Sequence, residues 1–387
     1  MVNQSGSLRE RLISLTVTEP LAREIPLRAQ VAVPRSVIHH LDDLAQLSDQ
    51  WEAMAVQAVS PTQQYIWAEA CAAAFGAAGR LQVVAVEQAG QQVGIAPLVR
   101  RPGLPRLELL GVKELHEPMD LLCSDLSALD QLASAIAELP LPIWIERAPG
   151  DSPLLAAIKK AYKRRGLVYL SPAQGYPCIP LDDGWADPEQ KFNAGRRSDF
   201  RRAQRHAEKL GAVSYEMHRP TPDECEPLLE EALRVEAASW KGTAGSAIEY
   251  DQLRAPFYRR YAVSACAKGI LRLCFLRIGG QAAAMQYAVE CGERFWLLKI
   301  GYDEKFARCS PGMLLMLHSI GDAARRGLRS YEFLGTAEPW TQMWTQEVRP
   351  AVSIRAYPAR PLAMATLAAD AGRSMWAKLK KSFGEKP

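Results

Sequence analysis

Ser310-Pro311-Gly312 stands at the junction between an apolar strand pattern over 295–300 and an amphipathic helix pattern over 313–326, with Gly327 as a stop and a second strand pattern over 331–334. That order aims the first turn of a helix at the end of a sheet, where unpaired N–H groups and the helix dipole favour a phosphate. Gly312 carries no side chain at the point where a phosphate would approach the backbone. A phosphorylated small molecule is the expected guest; a plain helix start, for which Ser-Pro-Gly is also common, is the competing expectation.

The helix is predicted from agreeing signals. Ser310 suits the N-cap and Pro311 the first helical position, while Met313, Leu314, Met316, Leu317, Ile320, Ala323 and Ala324 make one apolar face. Arg325 and Arg326 fall at the negative end before Gly327. His318 lies two turns inside the helix and is read as packed or solvated. Cys309 precedes the helix but has no histidine signature nearby, so it is read as a bystander.

An internal repeat sets this junction in a larger frame. At a constant offset of 190 residues, 81–111 lies over 271–301 without a gap, with six identities in 31 positions: Leu81/Leu271, Gly90/Gly280, Gln91/Gln281, Val99/Val289, Leu107/Leu297 and Gly111/Gly301. The identity is low, but the order of strand, glycine turn, strand, loop and strand agrees throughout, as two copies of one β-meander would. Carried further, the offset sets Asp120-Leu121-Leu122 against Ser310-Pro311-Gly312, so only the second copy is expected to accept a phosphate. The first copy continues with helices near 127–138 and 153–165 and strands at 143–147 and 167–170. The predicted class is α/β (α+β), with two halves, each a mixed, mostly antiparallel sheet flanked by helices.

Residues 196–345 resemble the CelD-type acetyltransferases of bacterial cellulose and exopolysaccharide clusters, a branch of the GNAT acyltransferase superfamily. The matching pieces are Arg196-Arg197-Ser198-Asp199-Phe200-Arg201-Arg202, Glu236-Ala237-Ala238-Ser239-Trp240-Lys241-Gly242, Lys299-Ile300-Gly301-Tyr302-Asp303, Ser310-Pro311-Gly312 and Glu332-Phe333-Leu334-Gly335. The first half resembles a degenerate N-terminal GNAT copy, with Trp51 and 60–63 as weaker matches; two GNAT-like halves also characterise the Fem-type aminoacyltransferases. Many relatives have Asp where this chain has Glu332, and a Tyr-Lys pair where it has Trp340-Thr341.

The resemblance implies acyl transfer from acetyl-CoA or another acyl-CoA, with no metal. The pyrophosphate would lie on the amides of Gly312, Met313 and Leu314 beside Ser310, and the pantetheine arm along the strand that ends in Lys299 and Ile300. The acceptor needs a group to take its proton. Glu236 is one candidate, on the apolar side of a helix opened by the capping box Thr221-Pro222-Asp223-Glu224; its alternative role is to cap a buried backbone group. Asp303, past the strand end, is the other candidate, with an Asx turn as its alternative. Trp240, Lys241, Tyr302, Glu332 and Trp340 are the candidate acceptor contacts, aromatic faces being suited to sugar rings and equally to core packing.

Arg197, Arg201, Arg205 and Lys209 recur every four residues, and 196–209 holds six Lys/Arg against Asp199 and Glu208. Arg201 and Arg205 are candidate contacts to the CoA phosphates, to an anionic polysaccharide or to lipid headgroups, with a solvated face as the alternative. Nucleic acid is not indicated, since no aromatic interleaving or known binding motif accompanies the arginines.

The 387 residues, 48% hydrophobic, suffice for full cores, and 47 Lys/Arg against 43 Asp/Glu is too mild an excess to imply a polyanion partner. The eight cysteines are scattered without C-x-x-C or metal spacing, which fits reduced thiols in the cytoplasm. Neither a signal-peptide core nor a membrane-length apolar run is present. The expected organisation is a leader over 1–30, a degenerate half over 31–175, an acyl-CoA-binding half over 176–360 and a basic amphipathic helix over 361–387, with a Pro/Gly/Asp-rich linker over 171–187. The expected activity is acyl transfer to an amine or hydroxyl of a sugar, polysaccharide or envelope precursor, in the cytoplasm or at the inner membrane beside a polysaccharide synthase. A Fem-like transfer from charged tRNA and a non-catalytic accessory subunit are the alternatives.

Overall fold

The computed structural model describes residues 36–76, 80–239 and 247–384. The two β-meanders expected from the repeat are present and alike in detail. β1 is Ser36–Leu41; the first meander is β2 (Arg80–Gln88), β3 (Gln91–Arg100) and β4 (Leu107–Leu109). After β5 (Leu122–Cys123), β6 (Ile143–Pro149), β7 (Gly166–Pro180) and β8 (Val213–His218), the second is β9 (Leu271–Ile278), β10 (Gln281–Cys291) and β11 (Arg294–Tyr302). Both hairpins turn on two residues with positive φ, Ala89 and Gly90 at 51° and 80°, Gly279 and Gly280 at 58° and 80°. Such a turn matches the right-handed twist of the flanking strands. The bulges repeat too: Val93 is squeezed out of the β2–β3 ladder and Ala283 out of β9–β10, again 190 residues apart.

After each meander a helix crosses over and a parallel strand follows. In the first half Leu126–Glu138 leads to β6, parallel to β4; in the second Pro311–Arg325 leads to β12 (Ser330–Glu332), parallel to β11. The last strand of each half is then exchanged. β7 pairs with β12 of the second half, while β13 (Val348–Pro358) returns to pair with β6 of the first, and the two lie antiparallel to each other. One mostly antiparallel sheet therefore runs through both halves in the order β1-β2-β3-β4-β6-β13-β7-β12-β11-β10-β9-β8, with β5 on β3.

This exchange corrects the expected linker, because 171–180 belongs to β7. Pro172 and Pro177 read as breakers in the sequence, yet the ladder shifts register between them, where Gly175 packs so close to β13 that a Cβ would lie 2.5 Å from the Arg349 carbonyl oxygen.

Helices cover the sheet around three cores. One holds the first half's outer helices, Leu126–Glu138 and Leu154–Ala161; another holds Ala194–Leu210 and Pro311–Arg325 of the second. The third is shared: Tyr65–Phe75 packs on Ala255–Ala267, with Trp67 edge-on to Phe257 at 4.9 Å and to Tyr261 at 5.0 Å. Apolar burial on this scale, together with the exchanged strands, ties the halves into one folding unit.

Candidate functional site

β11 and β12 pair only from Arg294–Ser330 to Trp296–Glu332. Beyond that point they part. β12 ends, Phe333 donates to the Pro177 carbonyl at 3.0 Å, and Leu334 and Gly335 turn the chain away with φ of 57° and 52°. β11 continues to Tyr302 on β10 alone, with a bulge that leaves Leu298 without a ladder partner. The gap is a cavity of about 650 Å³, walled by β11 from Leu297 to Tyr302, by the loop after β12 from Phe333 to Thr336, and by Gly312, Met313 and Met316. Trp340, Met343 and Trp344 complete that side.

The helix start faces this cavity, as the sequence anticipated, but its cap differs. Ser310 is in the left-handed region with φ 45° and its side chain caps nothing, because the Glu304–Cys309 turn delivers the chain in a direction an ordinary N-cap cannot follow. The Met313 and Leu314 amides both donate to the Ser310 carbonyl, at 3.0 and 3.2 Å. Pro311 has no N–H, so among the described residues the Gly312 amide is the first-turn donor left without a partner. The expected cradle of three amides is thereby reduced to one, and the Leu314 side chain belongs to the core. The space in front of Gly312 is open: a Cβ there would meet only Tyr302 Cδ1, at 3.7 Å. In the first copy the equivalent corner is filled by Met119, Leu121 and Leu122, with Asp120 bound to the Leu121 amide at 2.8 Å.

Of the other expected contacts, Lys299, Ile300, Tyr302 and Trp340 line the cavity. Trp340 is 38% exposed and donates from its indole to Glu338 at 3.0 Å. Trp240 and Lys241 lie outside the described residues. Glu332 does not reach the cavity: it is fully buried within the sheet, gripped by the Arg349 guanidinium at 2.7–3.1 Å and by the Ser330 hydroxyl at 2.6 Å. The alternation of side chains along β12 turns it away from the face where Phe333 opens the gap.

Both expected bases fill their structural alternatives. Glu236 is buried and accepts from the Ile248 amide at 2.8 Å, with its own backbone packed so close to Gly301 that a Cβ there would lie 2.6 Å from Glu236 Cα. Asp303 forms an Asx turn with the Lys305 amide at 3.0 Å and an ion pair with the Lys305 ammonium at 2.8 Å. Neither carboxylate is a wall of the cavity. Arg201 and Arg205 are exposed on the outer side of the 194–210 helix, whose inner side, Phe200, Ala203 and Ala207, packs in the core. Arg201 donates to its own helix at the Arg197 carbonyl, and neither arginine lines the cavity. His318 stacks on Tyr215 at 4.3 Å, its basicity lowered by burial, and the Cys309 thiol is buried and pushed up.

Two carboxylates line the cavity: Glu338, which holds the Trp340 indole, and Glu117, from the first half. Glu117 is 8% exposed, and its Oε2 has no hydrogen-bond partner among the described residues. Burial raises its pKa; the positive charges of Arg147 and Lys299 and the Gly335 N–H oppose the rise without cancelling it. Lys299 shows the converse: burial lowers its pKa, against the attraction of Glu117 and Glu236, and its ammonium sits 4.8 Å from the centre of the Tyr258 ring. A buried carboxylate with a free lone pair beside a half-buried lysine is an arrangement that can move a proton. Nothing in the local sequence marks Glu117. It lies in a stretch without periodicity and reaches the cavity only because the halves share a sheet.

Residues 194–342 match the family model described as an acetyltransferase (GNAT) domain, and this segment has the GNAT fold. None of the curated proteins matches the chain. Among solved structures, the chain is similar to the C-terminal domain of a putative lysylphosphatidylglycerol synthetase from Agrobacterium fabrum, at 9% identity and a TM-score of 0.52 over 85% of this chain and 96% of that one. It is similar to FemX at 13% and 0.52, over 83% and 97%. A conserved protein of unknown function from Bacteroides thetaiotaomicron aligns at 13% and 0.53, over 83% and 99%. At these identities the likeness is one of fold, and it extends across both halves.

Proposed function

We propose that this protein transfers an acyl group from acyl-CoA to an amine or hydroxyl, within the gap between β11 and β12, and that the acceptor is a sugar or envelope precursor. The observation that carries the proposal is the parting of two parallel strands beside a helix start whose Gly312 amide is free. A linear pantetheine arm suits a slot walled by backbone on one side and by Met313 and Met316 on the other. The Gly312 N–H at the cavity wall suits the diphosphate.

When bound, acyl-CoA supplies an activated thioester carbonyl. Leu298, freed from the ladder by its bulge, is placed to offer a backbone N–H to the developing oxyanion. Glu117 accepts the proton as the acceptor's nitrogen or oxygen bonds to the carbonyl carbon; the C–S bond then breaks and the sulfur takes up a proton. Lys299 favours the ionised form of Glu117 against the effect of burial. Trp340 and Tyr302 border the cavity with aromatic faces that suit a sugar ring. Arg201 and Arg205 act at longer range, raising the local concentration of an anionic donor.

The test is release of free thiol from acetyl-CoA by the purified protein, with envelope-sugar extracts as acceptors. Acceptor-dependent release supports the proposal. Transfer from charged tRNA without thiol release replaces it with the Fem-like chemistry, and CoA binding without turnover under any acceptor leaves an accessory subunit.

A further inference from the structure

The C-terminal helix, Pro361–Gly384, is built inside out. Its inward positions Ala363, Thr366 and Asp370 are buried against the sheet, and Asp370 accepts from the Tyr357 hydroxyl at 2.8 Å. Its outward side carries Met364, Ala365, Ala368, Gly372, Met375 and Trp376, all exposed, with Met375 and Trp376 each at 65%. At 3.6 residues per turn these positions fall on one side of the helix. A helix packed only for water would reverse this arrangement, keeping the apolar stripe inward.

We infer that this stripe lies on an anionic lipid surface, with the helix parallel to the membrane plane. Charge selects that occupant. The 361–384 segment carries Arg373, Lys378, Lys380 and Lys381 against the single acid Asp370. The root of the helix adjoins a second basic group: the Ala359 amide donates to the Arg165 carbonyl at 2.7 Å, and Lys159, Lys160, Lys163, Arg164 and Arg165 are all exposed there. On the sheet face that holds Tyr357, the opposite strand presents Leu167 and Tyr169, 54% and 60% exposed. Apolar side chains flanked by bases, with a tryptophan among them, are what an interfacial helix needs on anionic lipid. No described helix is long and apolar enough to cross a membrane, so the contact is peripheral. The inference is independent of the transferase proposal.

The experiment is flotation of the full chain with phosphatidylcholine vesicles, with and without phosphatidylglycerol. The protein is expected to float with the anionic vesicles and not with the neutral ones, and to lose about tenfold in partitioning as ionic strength rises towards 0.5 M. Met375→Ser with Trp376→Ser should cut partitioning by a similar factor while Tm and CoA binding hold. Lys378→Gln with Lys380→Gln and Lys381→Gln should remove most of the salt dependence. Absence of flotation by the wild type, or flotation unchanged in the Met375/Trp376 variant, overturns the inference. A concentration-dependent dimer that the same variant abolishes, with no flotation, assigns the stripe to a second copy instead.

Discussion

The Arg147 guanidinium donates to the Gly335 carbonyl at 2.6 Å and also to the His116 carbonyl, joining the loop after β12 to the residue that precedes Glu117. Arg147 belongs to β6 of the first half, so the half whose own corner is filled by side chains holds a wall of the other half's cavity. Arg147→Met should release both walls and remove a positive charge that lowers the Glu117 pKa. The expected result is a rise of several-fold in KM together with a pH–rate profile displaced to higher pH. A change in thermal stability with an unmoved profile would confine Arg147 to a structural role.

Glu117→Gln should lower kcat by about a hundredfold or more, the usual scale of general-base catalysis, while CoA affinity stays within twofold. In the wild type, activity should rise with pH through a midpoint above the ordinary carboxylate range, because burial raises the Glu117 pKa and the base must be ionised. Lys299→Met should move that midpoint higher still, since Lys299 favours the ionised form. Both effects are read from pH–kcat profiles.

Asp120, in the filled corner of the first copy, has a carboxyl pushed up to about 6 by burial, against its bonds to Ser152 and the Leu121 amide. A raised acid favours the folded state only while it is protonated. Stability is therefore expected to fall as pH rises from about 4, where the unfolded chain ionises, to about 6, where the folded one does. Asp120→Asn should flatten that decline and gain up to about 3 kcal/mol at pH 7, measured by denaturant unfolding across the window.

Neutralising Arg201 and Arg205 to Gln should weaken CoA binding about threefold at low salt and hardly at all at high salt, because exposed charges outside the cavity act through a screened field. A loss that is the same at both salt concentrations would mean direct contact.

Local patterns in the sequence were legible wherever they reflect local physics. The glycine turns at Gly90 and Gly280, the apolar face from Met313 to Ala323 and the 190-residue repeat all survive in the structure, down to bulges at Val93 and Ala283 that no pattern announced. What depends on partners distant in the chain was not legible. Pro172, Gly175 and Pro177 look like a linker until β13 arrives to pair with them. Glu332 looks like an acceptor contact until Arg349, from the exchanged strand, claims it. Glu236 and Asp303 read as two-sided in the sequence, and in the structure they accept from the amides of Ile248 and Lys305. Glu117 had no signal of its own; the burial that makes it useful comes from the union of the halves.

If the Gly312 corner holds the diphosphate of CoA, titration calorimetry of CoA into the wild type and Gly312→Val will separate the two proteins. A valine side chain there meets little beyond Tyr302, so the variant should fold with a Tm within about 2 °C of the wild type. Measurable CoA binding by the wild type and at least a tenfold loss in the variant are expected. Equal affinity in a variant that folds normally would contradict that placement of the diphosphate.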